Sequence, residues 1–316
     1  MRNLEHTSQN RRGLRATRVA LVTCCVLALL CGSATSQTAS SEAASESSST
    51  DDPAAQEKTL EEGVEGWVEG EESASDMGDL AKTSQNPVGS LISLPLQNNT
   101  NFGFGPGDDV QNVLNIQPVV PIGLSKKWNL INRVIMPVIY QPEIVPGQGS
   151  TFGLGDTTYT GFISPKAPGK LIWGVGPVIS IPTSTDDVLG SGEWAAGPSV
   201  VLLAMPGSWV TGILFSQIWS FDSDADAKVS FFLSQIFANY NMKKGWFLTT
   251  QPIFTANWEA ESGQQWTVPV GGGIGRVYKI GKQPVNTLIQ GYYNVKRPDS
   301  GAEWQLRLQF TFLFPK

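Results

Sequence analysis

The chain closes on WQLRLQFTFLFPK, Trp304 to Lys316. Every second residue of it forms one apolar face: Leu306, Leu308, Phe310, Phe312 and Phe314. The other face reads Gln305, Arg307, Gln309 and Thr311, with Leu313 as the one apolar intruder. A period of two is the signature of a β-strand with unlike faces. In a water-soluble sheet the apolar face packs on a core and the polar face meets water. In a membrane barrel the apolar face meets lipid and the polar face lines the interior. The rest of the sequence has to choose between the two solvents.

Upstream of this stretch, from Leu91 onward, the sequence predicts twelve strand-like segments of roughly ten to fifteen residues each: 91–104, 110–124, 128–141, 152–165, 170–184, 193–205, 209–221, 228–241, 246–259, 265–280, 284–296 and 303–314. Connections alternate in length. Tight turns such as Ser125 to Lys127, Pro206 to Ser208 and Gly281 to Gln283 take turns with longer loops such as Pro142 to Thr151 and Thr185 to Gly192. Alternating turns and loops belong to an up-and-down barrel whose turns face the periplasm. An even strand count leaves both chain ends on the turn side.

Charge sorts with the same two rims. Lys126, Lys127, Lys166, Lys170, Lys243, Lys244, Lys279 and Lys282 fall at or near the turns. Asp108, Asp109, Glu143, Asp156, Asp186, Asp187, Glu193, Asp222, Asp224, Asp226, Glu259, Glu261, Asp299 and Glu303 fall at or near the loops, with Lys228, Lys296 and Arg297 as basic exceptions there. The wall between is almost free of charge. Aromatic spacing agrees: Trp128 and Tyr140, Trp246 and Trp258, and Trp266 and Tyr278 stand on common faces. Twelve residues at ~3.3 Å each, tilted by ~40°, span roughly 30 Å, close to the ~25 Å apolar band between aromatic girdles. The fold class expected is therefore all-β, a transmembrane up-and-down antiparallel β-barrel of about twelve strands.

Some features resist that reading. Pro95, Pro118, Pro121, Pro137, Pro177, Pro182, Pro198, Pro252 and Pro269 fall inside predicted strands, and proline cannot donate to a ladder in a barrel without edges. Bulges are the expected remedy. Arg276 shares a face with Trp266 and Tyr278, which aims it at lipid unless a bulge at Gly271 to Gly273 reverses the register.

The front of the chain is different material. Residues 1–36 read as a secretory signal peptide: a basic region with Arg11, Arg12, Arg15 and Arg18, the apolar run Val19 to Leu30, then small residues Gly32, Ser33 and Ala34. That run is shorter than the ~20 residues a spanning helix needs. Cys24, Cys25, Cys31 and His6 all lie in this segment, so the exported chain has neither Cys nor His. Disulfides, Cys/His zinc sites, Ser-His-Asp triads and Cys-His pairs are thereby excluded. No paired carboxylates stand in a recognisable catalytic frame. The expectation is a protein that is no enzyme and that uses no metal or cofactor.

Residues 37–82 carry thirteen acidic residues, Glu42 to Asp79, against Lys58 and Lys82. So polar a stretch buries too little to offset its ordering entropy and reads as a disordered acidic tether. It is either a spacer or an interaction arm or plug. Residues 83–316 form the barrel domain, with fifteen basic and fourteen acidic residues; the balance excludes a basic nucleic-acid surface.

Two glycine-rich runs, Gly103 to Gly107 and Gly271 to Arg276, look like phosphate loops but no helix follows either. Asp222-Ser223-Asp224-Ala225-Asp226 resembles the start of a calcium loop without its glycine and closing glutamate, which favours an exposed acidic loop. The polar strand faces nominate as lumen-lining residues Arg133, Asn115, Gln117, Gln251, Asn257, Gln290, Asn294, Arg307 and Gln309. Arg133 and Arg307 are either pore-lining charges or paired residues that fill the interior.

Several motifs also carry a family resemblance: TSQNPV (83–88), LPLQNNTNFGFG (94–105), QNVLNIQP (111–118), FGLGDTT (152–158), LIWGVGP (171–177), TVPVGGGIGR (267–276) and GKQPVN (281–286). In order and spacing they resemble the bacterial proteins labelled neuromedin U or transporter. Those are similar to the outer-membrane family associated with the meta-pathway of phenol degradation. The resemblance runs from about residue 80 to the end of the chain. It implies an outer-membrane barrel with a transport role, and it names no solute.

The functional expectation is a passive outer-membrane channel or transporter for small solutes, located in a Gram-negative outer membrane after export. The alternative is a non-transporting structural or surface-binding barrel. Implied partners are outer-membrane lipid, the barrel-assembly machinery and an unknown small solute, with no nucleic acid. Twelve strands lie between the filled interior of about eight and the open channel of sixteen or more, so a narrow or partly occluded lumen is expected.

Overall fold

A computed structural model describes residues 77–145, 147–221 and 228–315. The signal peptide, most of the acidic tether and the Asp222–Asp226 loop lie outside the described residues.

The sheet contains fifteen strand segments, and three pairs of these are halves of one stave, which makes twelve staves in all. They are β1 (Ile92–Phe104), β2 (Asp109–Ile116) with β3 (Val119–Gly123), β4 (Trp128–Gln141), β5 (Thr151–Leu154) with β6 (Thr157–Pro165), and β7 (Ile172–Ile181). Next come β8 (Ala195–Ala204), β9 (Trp209–Ser220), β10 (Ser230–Asn241), and β11 (Trp246–Thr250) with β12 (Ile253–Asn257). The last three are β13 (Trp266–Ile280), β14 (Gln283–Lys296) and β15 (Trp304–Phe314). Each stave pairs antiparallel with the next. The barrel closes where β1 pairs β15, in unbroken register from Ile92↔Phe314 to Phe102↔Trp304. Closure leaves no sheet edge, as a strand-built membrane span requires.

The closing strand keeps its two faces. Leu306, Phe310 and Phe312 sit opposite Gly291, Thr287 and Val285 of β14, while Arg307 and Gln309 sit opposite Gln290 and Leu288. Outward-facing side chains across the barrel are large, apolar and exposed, among them Ile122, Ile163, Val175, Ile236, Leu248 and Val270. They form a belt that water would not tolerate and lipid does. Aromatic residues crowd both margins. Trp128 meets Trp173 and Trp209 meets Tyr240 at the turn rim, at ring-centroid separations of 5.8 and 5.0 Å. Trp258 meets Trp266 and Tyr293 meets Trp304 at the loop rim, at 5.5 and 4.7 Å. At the turn rim β13 and β14 join through Gly281 and Lys282, Gly281 supplying the positive φ of +59° that so short a turn needs.

Polar side chains on the outer wall satisfy one another. Asn132 of β4 accepts from the Tyr159 hydroxyl at 2.9 Å and donates to the Val120 carbonyl at 3.1 Å. Asn98 and Asn112 exchange amide hydrogen bonds at 2.8 and 3.1 Å, with Thr100 joined to both. The Trp258 indole donates to Gln217 at 3.0 Å. These pairings explain how strands that alternate imperfectly still present a wall to lipid.

The prolines find several accommodations, of which bulges are only one. Pro269 sits at a bulge between Val268 and Pro269. Pro118 and Pro252 occupy the breaks between β2 and β3 and between β11 and β12. Pro177 and Pro198 face each other across β7 and β8 with no bulge. Instead, pairing lapses on the far side of each: β6–β7 skips from Thr160↔Val178 to Ile163↔Val175, and β8–β9 from Ala196↔Trp219 to Ser199↔Ser216. The two missing donors thus fall in gaps of the ladder.

Arg276 stays on the outer face. Trp246↔Arg276 and Thr255↔Thr267 keep one continuous register, so nothing at Gly271–Gly273 turns the strand over. The guanidinium lies 5.0 Å from the Trp246 ring and 5.9 Å from that of Tyr278, a cation held in the aromatic girdle at the turn rim.

Besides the 3-10 turn Lys243–Gly245 that joins β10 to β11, one element among the described residues breaks the all-β pattern. Residues 77–84 form a helix, α1, on both sides of the boundary expected at 82/83. Its Ala81 is fully buried in a cluster with Phe247, Val277, Leu288 and Leu313, against which Met77, Leu80 and Leu91 also pack. Val88, just beyond the helix, is buried in a second cluster with Ile131, Phe162, Ile172, Leu203 and Phe237. The segment from 77 to 91 therefore lies inside the barrel at its turn end.

Candidate functional site: the barrel interior

The interior is built in three levels. At the turn end, the inserted segment is bonded to the wall as well as packed on it. Gln85 and Asn241 exchange side-chain amide hydrogen bonds at 2.9 and 3.0 Å. Asn286 donates to the Ser84 hydroxyl at 3.2 Å. Asn286 Oδ1 is the one buried side-chain polar atom left without a partner among the described residues. Wall and segment fit closely here. A Cβ at Gly174 would sit 2.9 Å from Val88, and one at Gly275 would sit 2.2 Å from the Phe247 ring. The glycine run of β13 is thus a smooth stretch of inner wall that leaves room for aromatic side chains, which removes the phosphate-loop reading.

Above the segment is a cavity of about 150 Å³. Ser84, Gln85, Asn86 and Leu91 form its floor, and its walls include Gln97, Gln117, Arg133, Gln235, Gln251 and Gln309. Leu214, Phe237, Phe247 and Leu288 add an apolar side. Arg133 donates from Nη2 to Gln117 Oε1 at 2.8 Å.

The third level is a polar girdle around Arg307, which is 3% exposed. Its Nε donates to Asn99 Oδ1 at 3.0 Å, Nη1 to the Gln251 carbonyl at 3.0 Å and Nη2 to Gln305 Oε1 at 3.1 Å. Its plane lies 5.1 Å from the Tyr292 ring, whose hydroxyl accepts the Gln251 backbone N–H at 2.9 Å. From there a chain of amides runs along the wall: Gln305 donates to Asn101, Asn101 to Gln111 and Gln111 to Gln141. On the other side Gln290 donates to Thr249 and Gln251 to Asn239. Buried polar groups in such a network are satisfied by one another.

Of the nine nominated residues, Gln117, Arg133, Gln251 and Gln309 meet at the cavity. Gln290 and Arg307 belong to the girdle. Asn115 stands on the inner face between Gln97 and Pro137. Asn294 and Asn257 lie toward the loop rim, the first buried and bonded to the Ala302 carbonyl, the second exposed and accepting from the Glu259 N–H. Sequence reasoning did not single out Gln97, Gln235, Asn99, Asn239 or Tyr292, although alternation from Gln309 and Gln251 places them. It also did not bring Ser84, Gln85 and Asn86 to the interior, since nothing in strand periodicity says where a preceding segment docks.

The electrostatics are one-sided. Asp109, at the loop-rim end of β2, is the only acidic residue within any strand. Arg133 and Arg307 both stand on the inner wall, so the middle of the lumen carries two cations and no carboxylate among the described residues. Neither forms an ion pair among the described residues; amides serve both.

No protein-family model matches the chain, and no curated protein matches it. Solved structures do. An outer membrane channel from Pseudomonas putida F1 superimposes with a TM-score of 0.56 at 17% identity, covering 72% of this chain and 97% of that one. The NanC porin gives a TM-score of 0.46 at 11% identity over 71% of this chain and all (100%) of the porin. The CymD monoaromatic hydrocarbon channel gives 0.42 at 9% identity over 74% and 92%. The neuromedin U label finds no support in these comparisons. The first of these channels supports the architecture: the chain has the fold of a bacterial outer-membrane barrel.

Proposed function

We propose that this protein is an outer-membrane channel for passive movement of small solutes, closed at its turn end by the inserted segment 77–91. Export by the amino-terminal signal and insertion by the barrel-assembly machinery belong to the same reading. The observation that carries it is the half-open cavity of about 150 Å³ above the segment, lined by both polar and apolar side chains. A barrel that served only as a wall anchor has no need of a hollow lined by Arg133 and several glutamines. The acidic loop rim raises local cation concentration, an effect confined to a Debye length of ~8 Å at physiological salt. Past the rim, Arg133 and Arg307 set the opposite sign, and the two zones together favour solutes with both polar and neutral character over simple cations.

A second reading is favoured by the hydrogen-bonded girdle at Arg307: a non-transporting barrel whose interior is filled for stability. Planar-bilayer recordings separate the two. The channel reading expects small conductance from the full chain and larger conductance after deletion of residues 77–90. Silence from both proteins, each shown to be folded by heat-modifiable migration, overturns it in favour of the filled barrel.

A further inference from the structure

The two interior arginines are not equivalent. A guanidinium has five N–H donors in a planar fork. Arg307 uses all three of its nitrogens on Asn99, Gln251 and Gln305 and lays its face on Tyr292. Arg133 has one hydrogen bond, from Nη2 to Gln117, among the described residues. Its remaining donors open on the cavity it lines. Around the same cavity, the side-chain amide nitrogens of Gln117 and, across the lumen, Gln235 donate to nothing among the described residues, whereas those of Gln97, Gln251 and Gln309 are engaged with Asn99, Thr249 and Thr311. With no acidic residue in any strand except Asp109 at the rim, no group of the barrel wall neutralises this charge. Arg133 is half-buried; a cation partly withdrawn from water without a paired charge favours a counter-charge, and the cavity in front of it is where one fits.

We propose that the Arg133 cavity is a binding site for a small monocarboxylate with a short apolar body. The carboxylate accepts from the free edge of Arg133 and from the Gln117 and Gln235 amides, the fork geometry that guanidinium and carboxylate share. The body lies against Leu214, Phe237 and Phe247. Size agrees: a cavity of about 150 Å³ is the size that holds one benzene ring, so a body of four to six carbons fits. The site belongs to the folded barrel and stands whether or not the lumen conducts.

Ligand-observed saturation-transfer NMR on the full chain in detergent micelles tests this, with butyrate as probe and butyramide as its uncharged counterpart of the same shape. Butyrate binding at least about tenfold tighter than butyramide is expected, as is loss of that preference in R133Q, because charge-assisted hydrogen bonds of this kind are worth a factor of ten or more. R133K, which keeps the charge and loses the fork, should fall between the two. Equal binding of butyrate and butyramide by the wild type overturns the proposal without any variant. Butyrate preference undiminished in a folded R133Q barrel also overturns it, by locating the anion elsewhere. Silent bilayer recordings combined with Arg133-dependent butyrate binding would remove the channel reading and leave this site in place.

Discussion

Leu313 of the closing strand and Ala81 of the inserted helix are buried together, at 1% and 0% exposure, in one apolar cluster at the turn end of the barrel. Leu313 is the single apolar residue on the polar face of β15, and Ala81 is the small residue that lets the helix come close to it. The irregularity in the alternation is therefore a contact with a segment more than two hundred residues earlier in the chain.

Because Ala81 is fully buried between the helix and the wall, enlarging it should push the segment out. Overpacking costs ~1–3 kcal/mol, which shifts the docked population by about 5–150-fold. Ala81→Trp is expected to expose residues 77–90 to limited proteolysis and to raise conductance, with the barrel still heat-modifiable. Unchanged protection of the segment would show that the cluster does not hold it.

At the girdle, geometry matters more than charge. Arg307→Lys keeps the cation but cannot reach Asn99, Gln251 and Gln305 from one plane. Loss of charge-assisted hydrogen bonds should lower stability by ~1.5–3 kcal/mol, read as an earlier midpoint in urea unfolding followed by tryptophan fluorescence. An unmoved midpoint would mean that the network around Arg307 rearranges without cost.

The two faces of β15 predict opposite responses to the same charge. Phe310→Asp places a carboxylate in lipid and should prevent accumulation of folded barrel in outer-membrane fractions. Gln309→Asp places it in the cavity that Arg133 also lines and should assemble. Equal yields of heat-modifiable protein from both would reject the assignment of faces.

Depth along the outer wall gives a further contrast. Arg276 lies in the aromatic girdle on Trp246 and Tyr278, so Arg276→Ala should cost only ~0.5–1 kcal/mol. Val134, outward-facing and midway between Trp128 and Tyr140 on β4, is the opposite case. Val134→Arg should cost ~2–4 kcal/mol. Refolding titrations into lipid vesicles compare the two, and similar losses would contradict the placement of the wall in the bilayer.

Alternation, aromatic spacing and the sorting of charge by rim were enough to read the barrel, because each follows from a strand crossing lipid and needs no long-range information. The strand count and the inward placement of Gln309, Arg307 and Gln251 follow from the same rule. The prolines were legible only as an anomaly, since whether Pro177 and Pro198 meet across a pair depends on register between different staves. Arg276 likewise needed the partner strand, which supplies Trp246.

By itself, then, the sequence determined a twelve-strand wall and which side of each strand meets lipid, because period-two patterning is a local property of extended chain. Only the tertiary structure decided what fills that wall. Residues 77–91 dock inside because Leu313, Phe247 and Leu288, scattered over three strands, converge on one apolar seat. Arg133 is left with open donors while Arg307 is saturated because closure of the barrel brings Asn99 and Gln251 to Arg307, beside Gln305 of its own strand, whereas Arg133 meets only Gln117 among the described residues.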